Sequence, residues 1–304
     1  MDRAGVDAEV AAPFEAGFDG TPAEALAVWE ADAEMWPSLG SPWRPSVSDT
    51  ALYRGLAGTK LGGRVLVLGA TPELRDLTAE AGAEPVVVEM SAAMHAATTR
   101  LLRRADPSRE TWIHGDWCEV SIPGGGFDLV LGDMIWWGMS VSRQHAVRDT
   151  IHAALEPDGL FVSRFRFADT SRADEDAVSA IGRYLEQLER GPGDEKMIRG
   201  AMMSWIYDHT ANRELHRLDL ERARALVLSV ATKPELSRHE TFLRDLAGRL
   251  RGPNWTSQSR EELLEIVGVR FELVQEERAE GYDSFLYPVI ALRPTRADEP
   301  SLSD

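Results

Sequence analysis

Four stretches of the chain carry residue types whose spacing could do chemistry. In the first, Val65-Leu-Val-Leu-Gly69-Ala70-Thr71-Pro72-Glu73, a continuous apolar strand runs straight into a helix. Such a turn brings backbone close to a ligand, and the first helical N–H groups point outward, unpaired and partly positive. Thr71 and Pro72 suit the N-cap and first helical positions in their own right. Glu89 closes the next apolar run, 20 positions after Gly69, with Met90 behind it. An acid there can accept both hydrogen bonds of a ribose 2′,3′-diol, although NAD enzymes share the feature and a strand-end acid can simply lead into a helix. Gly115-Asp116-Trp117 and Phe127-Asp-Leu-Val-Leu-Gly-Asp133-Met134-Ile-Trp136-Trp137 follow two further apolar runs. Among the seven histidines, His145 follows the fourth stretch closely enough to serve as a base, and His114 and His209 are the other candidates. A lone histidine is as readily structural or solvated. Cys118 reads as a small buried filler, since no basic partner adjoins it.

Composition narrows the field. The 304 residues carry a net charge of −17, which argues against a sequence-independent grip on nucleic acid. With 43% hydrophobic and 27% charged residues the chain is expected to bury a sizeable core. No apolar run reaches the length that spans a bilayer, and the first residues lack a basic, then apolar, leader. A cytoplasmic protein without membrane contact is expected. One cysteine excludes an intrachain disulfide and a multi-cysteine metal site. No carboxylate or histidine spacing suits a metal, and none is predicted.

The elements that must position these stretches alternate. Strands are predicted over 64–68, 85–89, 110–114, 127–131 and 159–165, with helices over 72–82, 92–104 and 142–155. Continuous apolar strands separated by helices imply a parallel sheet covered on both faces. Upstream lie a helix over 23–35 capped by Thr21-Pro22, a proline-rich segment with Trp36 and Trp43, and a short helix over 48–56. Residues 1–20 show no period and read as frayed. After the fifth strand a helical block (173–188, 197–209, 220–230, 235–250) intervenes, broken at Gly191-Pro192-Gly193 and closed by Gly252-Pro253. A helix over 261–267 and two strands, 271–275 and 284–292, joined by a turn at Gly281, then form an antiparallel hairpin.

This layout resembles the class I S-adenosylmethionine (SAM)-dependent methyltransferases over about 62–166 and 257–293. The resemblance implies a Rossmann-like α/β fold: a seven-stranded, mostly parallel sheet with a C-terminal antiparallel hairpin, plus N-terminal helices and a helical insertion. The first motif departs from the family: Val67 replaces the strand acid, and Thr71 and Glu73 replace the second and third glycines. The resemblance assigns SAM as cofactor, with Gly69, Ala70, Thr71, Glu89 and Met90 among the residues that hold it and Glu89 on the ribose. Asp116 and Trp117 fall at the adenine, and Asp133, Met134 and Trp136 beside the methionine and the transferred methyl. Asp133, His145 and His209 are the catalytic candidates. Arg44, in Trp43-Arg44-Pro-Ser46, could clamp the methionine carboxylate bidentately or be a surface arginine. Trp43, Trp117, Trp136 and Trp137 could face the sulfonium through a ring; adjacent Trp136 and Trp137 cannot both point one way, so one should pack in the core.

The expected organisation is an N-terminal cap (1–61), a SAM-binding core (62–166 and 257–295), a helical insertion (167–256) and a tail (296–304). Acids and bases nearly balance from Phe167 to Trp255. Met202, Met203, Trp205, Ile206 and Tyr207 there suit a substrate lid, a helix–helix core or a homodimer face. The expected activity is methyl transfer to a small, specialised metabolite. Two rivals are a SAM-consuming cyclase releasing methylthioadenosine and a non-catalytic SAM-fold binding protein.

Overall fold

The structure is a computed structural model that describes residues 22–172, 174–191, 195–250, 255–280 and 284–295. Seven strands form one sheet in the order β3-β2-β1-β4-β5-β7-β6. They are β1 (Val65–Leu68), β2 (Val86–Glu89), β3 (Thr111–His114), β4 (Phe127–Asp133), β5 (Leu155–Arg164), β6 (Phe271–Glu277) and β7 (Val289–Pro294). The first five pair in parallel, and β7 inserts antiparallel between β5 and β6. The parallel core is flanked by α3 (Pro72–Glu80), α4 (Ala92–Thr99), α5 (Val141–Ala154) and α10 (Arg260–Gly268). Apolar side chains on the two faces of the sheet build separate clusters. Leu66, Leu68, Val130, Phe161 and Ile290 lie in one, and Val65, Val67, Leu129, Leu131 and Val162 in the other. Strands buried on both faces read as continuous apolar runs for this reason.

Several boundaries differ from the sequence reading, each for a local reason. Helix α4 stops at Thr99 rather than 104 because the next turn leaves the axis, where the backbone N–H groups of Arg103, Arg104 and Ala105 donate to the Asp76 carboxylate. Strand β5 begins at Leu155, which pairs with Phe127 across an irregularity in register. Ser284–Leu286 is a 3-10 turn, so β7 starts only at Val289. The helix expected over 235–250 is a 3-10 turn, Pro234–His239, followed by α9 (Glu240–Arg249). The Thr21 cap, the Gly281 turn, Pro192-Gly193 and Gly252-Pro253 lie outside the described residues, as do 1–20 and 296–304.

Helix α2 (Val47–Ala57) is fastened to the C-terminal ends of the central strands. Ser46 and Asp49 form a capping box at its start, which satisfies two otherwise orphaned N–H groups. The Asp49 carboxylate also accepts from Arg164 Nη1 at 3.3 Å. Arg164 grips Asp133 with Nε at 2.9 Å and Nη2 at 3.0 Å. The Tyr53 hydroxyl donates to the Gly132 carbonyl at 2.7 Å and accepts from the Arg164 backbone N–H at 2.7 Å. All four side chains are buried.

The insertion packs as a helical unit of α6 (Ala177–Arg190), α7 (Glu195–Thr210), α8 (Leu220–Ala231) and α9. Its core contains Ile181, Met202, Trp205, Ile206, Val227 and Leu243, together with Trp137 from the sheet domain. The apolar cluster read from the sequence is therefore in large part the insertion's own core.

Arg164→Met would leave two carboxylates buried without their cation, a loss of about 3–5 kcal/mol. Urea unfolding should show it, and a change below about 1 kcal/mol would mean the triad holds nothing that solvent cannot replace.

Candidate functional site

Open parallel sheets bind ligands at the C-terminal ends of their strands, at the point where strand order reverses; here that point lies between β1 and β4. Gly69 sits at this edge with φ of +84°, a left-handed conformation natural to glycine. Its N–H donates to the Val88 carbonyl at 2.8 Å. Ala70 and Thr71 behind it are buried. Thr71 occupies the N-cap of α3, yet its side chain makes no capping hydrogen bond.

Glu89 faces the same crevice from β2. Its carboxylate accepts from the Ser91 N–H at 2.7 Å and interacts with the Ala70 and Met90 N–H groups. Burial pushes its pKa up to about 7, against an ordinary 4.5, and those backbone donors only partly offset the effect. The Met90 carbonyl is held by His114 at 2.7 Å, so His114 serves the backbone of this loop. Over Gly69 lies the Trp117 indole, 3.4 Å from where a Cβ would stand, with its Nε1 donating to the Val88 carbonyl at 3.0 Å. Asp116 beside it accepts from the Cys118 N–H at 2.9 Å and from Arg143 at 2.5 Å. Cys118 is buried, as a filler would be.

An N-terminal strap closes over this edge. Helix α1 (Pro22–Met35) and the Trp36–Ser38 turn pack on α4. Arg44 pairs with Glu73 in the first turn of α3 and donates to the Trp36 carbonyl at 3.2 Å. The expected carboxylate clamp is thus engaged by a carboxylate of the chain itself. Trp43 stacks on Trp137 with centroids 5.0 Å apart. Pro42 sits so close to Gly200 of α7 that a Cβ there would lie 2.2 Å from its Cδ.

Beyond β4 the chain makes a tight loop. Met134 has φ of +52°, an uncommon conformation for a side-chain-bearing residue and one that clusters at functional sites. Trp136 and Trp137 diverge, as adjacent residues must. Trp136, expected beside the cofactor, instead packs in the sheet core against Phe161 and Phe165 at 6.0 Å each. Trp137 faces the cap, between Trp43 and Trp255, the latter at 4.5 Å. Thr256 donates through its hydroxyl to the Trp136 and Trp137 carbonyls, and Gln144 and Gln258 bond each other and brace the same loop.

The catalytic candidates separate in space. Asp133 is tied to Arg164 and Tyr53, and burial raises its pKa despite the arginine; its geometry is that of a structural anchor. His145 meets Arg148 at 2.8 Å, and that arginine reaches the Ile266 carbonyl of α10. His145 therefore belongs to the α5–α10 side rather than to the strand ends. His209 stacks on Trp205 at 4.5 Å, and burial, then Arg222, lowers its pKa. It lines a pocket with Asp169, Arg172, Trp205, Asp208 and Leu286 that has room for about one water (≈ 10 Å³). Sequence reasoning missed Arg166 and Asp208, a buried pair at 2.6 Å that joins the end of β5 to α7. No signal in the sequence pairs residues 42 positions apart. Among the described residues no group of three His, Cys, Asp or Glu side chains could hold a metal ion, and no helix is long and apolar enough to cross a membrane.

No family model matches the chain, and no curated protein matches it in sequence. Solved structures share its fold. The CcbJ methyltransferase from Streptomyces caelestis is 16% identical with a TM-score of 0.51, over 88% of this chain and 98% of that one. A protein described as a putative Zn-dependent alcohol dehydrogenase from Rhodobacter sphaeroides is 18% identical with a TM-score of 0.52, over 88% and 98%. The two carry different activities in their names, and identity this low establishes the fold alone. The chain has the Rossmann-like fold seen in class I methyltransferases, and what it does must be argued from its site.

Two outcomes test this geometry. The folded-state pKa of Glu89 lies above its unfolded value, so its contribution to stability is complete below about pH 4.5 and lost as pH rises through about 7. In that window the ligand-free protein should lose about 1.4 kcal/mol per pH unit from this group, and Glu89→Gln should remove that slope in urea titrations. Identical slopes in the two proteins would show the carboxyl already ionised throughout. Trp136→Leu should cost about 2 kcal/mol or more in global stability without changing native-state cleavage of the insertion by trypsin. Trp137→Leu should accelerate that cleavage; equal rates for both variants would mean the indole stack does not hold the insertion.

Proposed function

We propose that the protein is a SAM-dependent methyltransferase acting on a small molecule of specialised metabolism. The observation that supports this most directly is Glu89: a buried carboxylate, short of cationic partners, at the end of β2 and across from the left-handed Gly69. Two sugar hydroxyls would add donors to a buried carboxylate whose backbone N–H partners only partly offset its desolvation. The Gly69–Thr71 backbone would border the ribose, and the Trp117 ring, already against Gly69, would flank the base beside Asp116.

SAM, when bound, supplies an electrophilic methyl group. The chain's own part is to orient it and to exclude water. The strap, the Met134–Trp137 loop and the insertion together cover the strand ends, so the reactants would meet in a fixed geometry, the main source of acceleration in such a displacement. Burial favours the neutral form of His209, partly offset by a backbone interaction with Arg172, and among the described residues its Nδ1 is buried without a well-formed hydrogen bond. It is the better-placed of the two candidate histidines to take a proton from an acceptor. The insertion acts as a lid, and a single copy of the chain carries every residue named here.

One observation favours a second reading, a non-catalytic protein on the same fold. Trp117 and the Arg44–Glu73 pair fill the crevice where the cofactor would enter.

Isothermal titration should show SAM binding, and Glu89→Ala should weaken it by about 1–3 kcal/mol in a folded protein. No binding at high micromolar SAM would overturn the enzyme reading in favour of the non-catalytic one. Methylthioadenosine released from SAM alone would replace methyl transfer with cyclisation.

A further inference from the structure

Arg166 lies wholly inside the protein, its side chain 1% exposed. Nη2 donates to Asp208 at 2.6 Å. Among the described residues its Nε and Nη1 have no hydrogen-bond partner. The Tyr287 hydroxyl lies close enough to interact with the guanidinium, both through its charge and as a poorly aligned hydrogen-bond acceptor, but its well-formed hydrogen bond is to Ser204. Arg164, two residues earlier and equally buried, shows how the same chain completes an arginine: Nε and Nη2 on Asp133, Nη1 on Asp49. A buried charged donor left unmade costs more than a neutral one, so a purely structural arginine would be expected to look like Arg164. The guanidinium carbon lies 5.7 Å from the Trp137 ring centroid. Nearby, the Trp137 Nε1 is a further buried donor without a partner among the described residues.

Position along the sheet says which reactant this donor set serves. Glu89 and Gly69 mark β2 and β1, whereas Arg166 follows β5, two strands beyond β1, or about 10 Å at the usual strand spacing. Trp137, the ring near the guanidinium, belongs to an aromatic group with Trp43 and Tyr207, the three lying within 6.2 Å of one another by ring centroid.

We propose that Arg166 is the binding site for a carboxylate on the methyl acceptor, which is then a small carboxylic acid with an apolar body. Nε and Nη1 each share a two-donor edge of the guanidinium with Nη2 and not with each other, so a carboxylate would meet the edge that Asp208 leaves open, while Asp208, on the other Nη2 hydrogen, fixes the plane. The aromatic wall would take the body of the acid. The proposal names the acceptor of the methyl-transfer reading and rests on it, but its first test does not need SAM.

The probes are phenylacetate and indole-3-acetate, with phenylacetamide and indole-3-acetamide as uncharged counterparts, titrated calorimetrically into the full chain. The acids should bind at least tenfold more tightly than the amides. Arg166→Lys, which keeps a cation for Asp208, should abolish that preference. If this variant unfolds, the double change Arg166→Met with Asp208→Leu removes both charges and serves instead. Acids and amides binding alike, neither binding, or a preference that survives the substitution would each overturn the proposal. The cofactor's own carboxylate is the competing source, so adenosylhomocysteine and methylthioadenosine, which lacks the carboxylate, are compared in the same variant. Both should bind as they do to the wild type. Selective loss of adenosylhomocysteine would assign Arg166 to the cofactor and overturn the acceptor assignment. Failure of adenosylhomocysteine to bind the wild type would count against the SAM reading, separately from the acid titrations.

Discussion

The ion triad of Asp49, Arg164 and Asp133 is the constraint from which the geometry of the strand ends follows. Three charges are taken out of water there, and such a group is tolerated only when every member has its partners. Arg164 meets this condition because Asp49 comes from the first turn of α2 and Asp133 from the end of β4. Helix α2 therefore cannot shift without unpairing a buried charge. The strap just upstream inherits that position, which places Arg44 on Glu73 and Trp43 on Trp137. A network built to satisfy buried charge thus also determines what roofs the C-terminal edge of the sheet.

The same extended segment carries this logic one step further. Residues of alternating orientation leave β5, so Phe165 and Phe167 enter the sheet core while Arg164 and Arg166 lie on the other side. The first arginine joins the sheet to α2, holding Asp133 of β4 and Asp49 of α2. The second binds it to the insertion through Asp208 alone, with the Asp169 N–H on the other carboxylate oxygen. Burial raises the pKa of Asp208 in spite of Arg166, as it raises that of Asp133 in spite of Arg164. The junction between sheet and insertion is the less satisfied of the two by hydrogen-bond geometry, since among the described residues Arg164 uses three nitrogens where Arg166 uses one.

Much of the architecture was legible because it rests on local rules. The apolar runs ending at Leu68, Glu89 and Asp133 announce strands buried on both faces, and the consecutive terminal strands announce an antiparallel β7. The placement of Gly69 and Glu89 at strand ends was likewise legible, since it follows from the apolar runs before them. What was not legible is pairing at long range. Nothing adjacent to Asp133 discloses that Arg164 and Tyr53 hold it. Alternation shows that Trp136 and Trp137 diverge but not which one enters the core. Phe161 and Phe165 decide that, from a strand about 25 residues away.

The departures from the family's glycine pattern also acquire a physical sense once the strap is in place. Glu73 stands in the first turn of α3, where the helix dipole favours a carboxylate. Without compensation it would also set a negative charge beside any anionic ligand at that turn. Arg44 neutralises it, and the Glu73–Arg44 pair ties the strap to the very turn that a cofactor would approach. Only one oxygen of Glu73 is so used; the other is buried and without a partner among the described residues. The turn has exchanged glycine's freedom for an ion pair that closes the crevice from above, with Trp117 lying over Gly69 from the side. Entry of a nucleoside then requires the indole and the strap to yield together. On the SAM reading, cofactor binding and roof movement are one event rather than two.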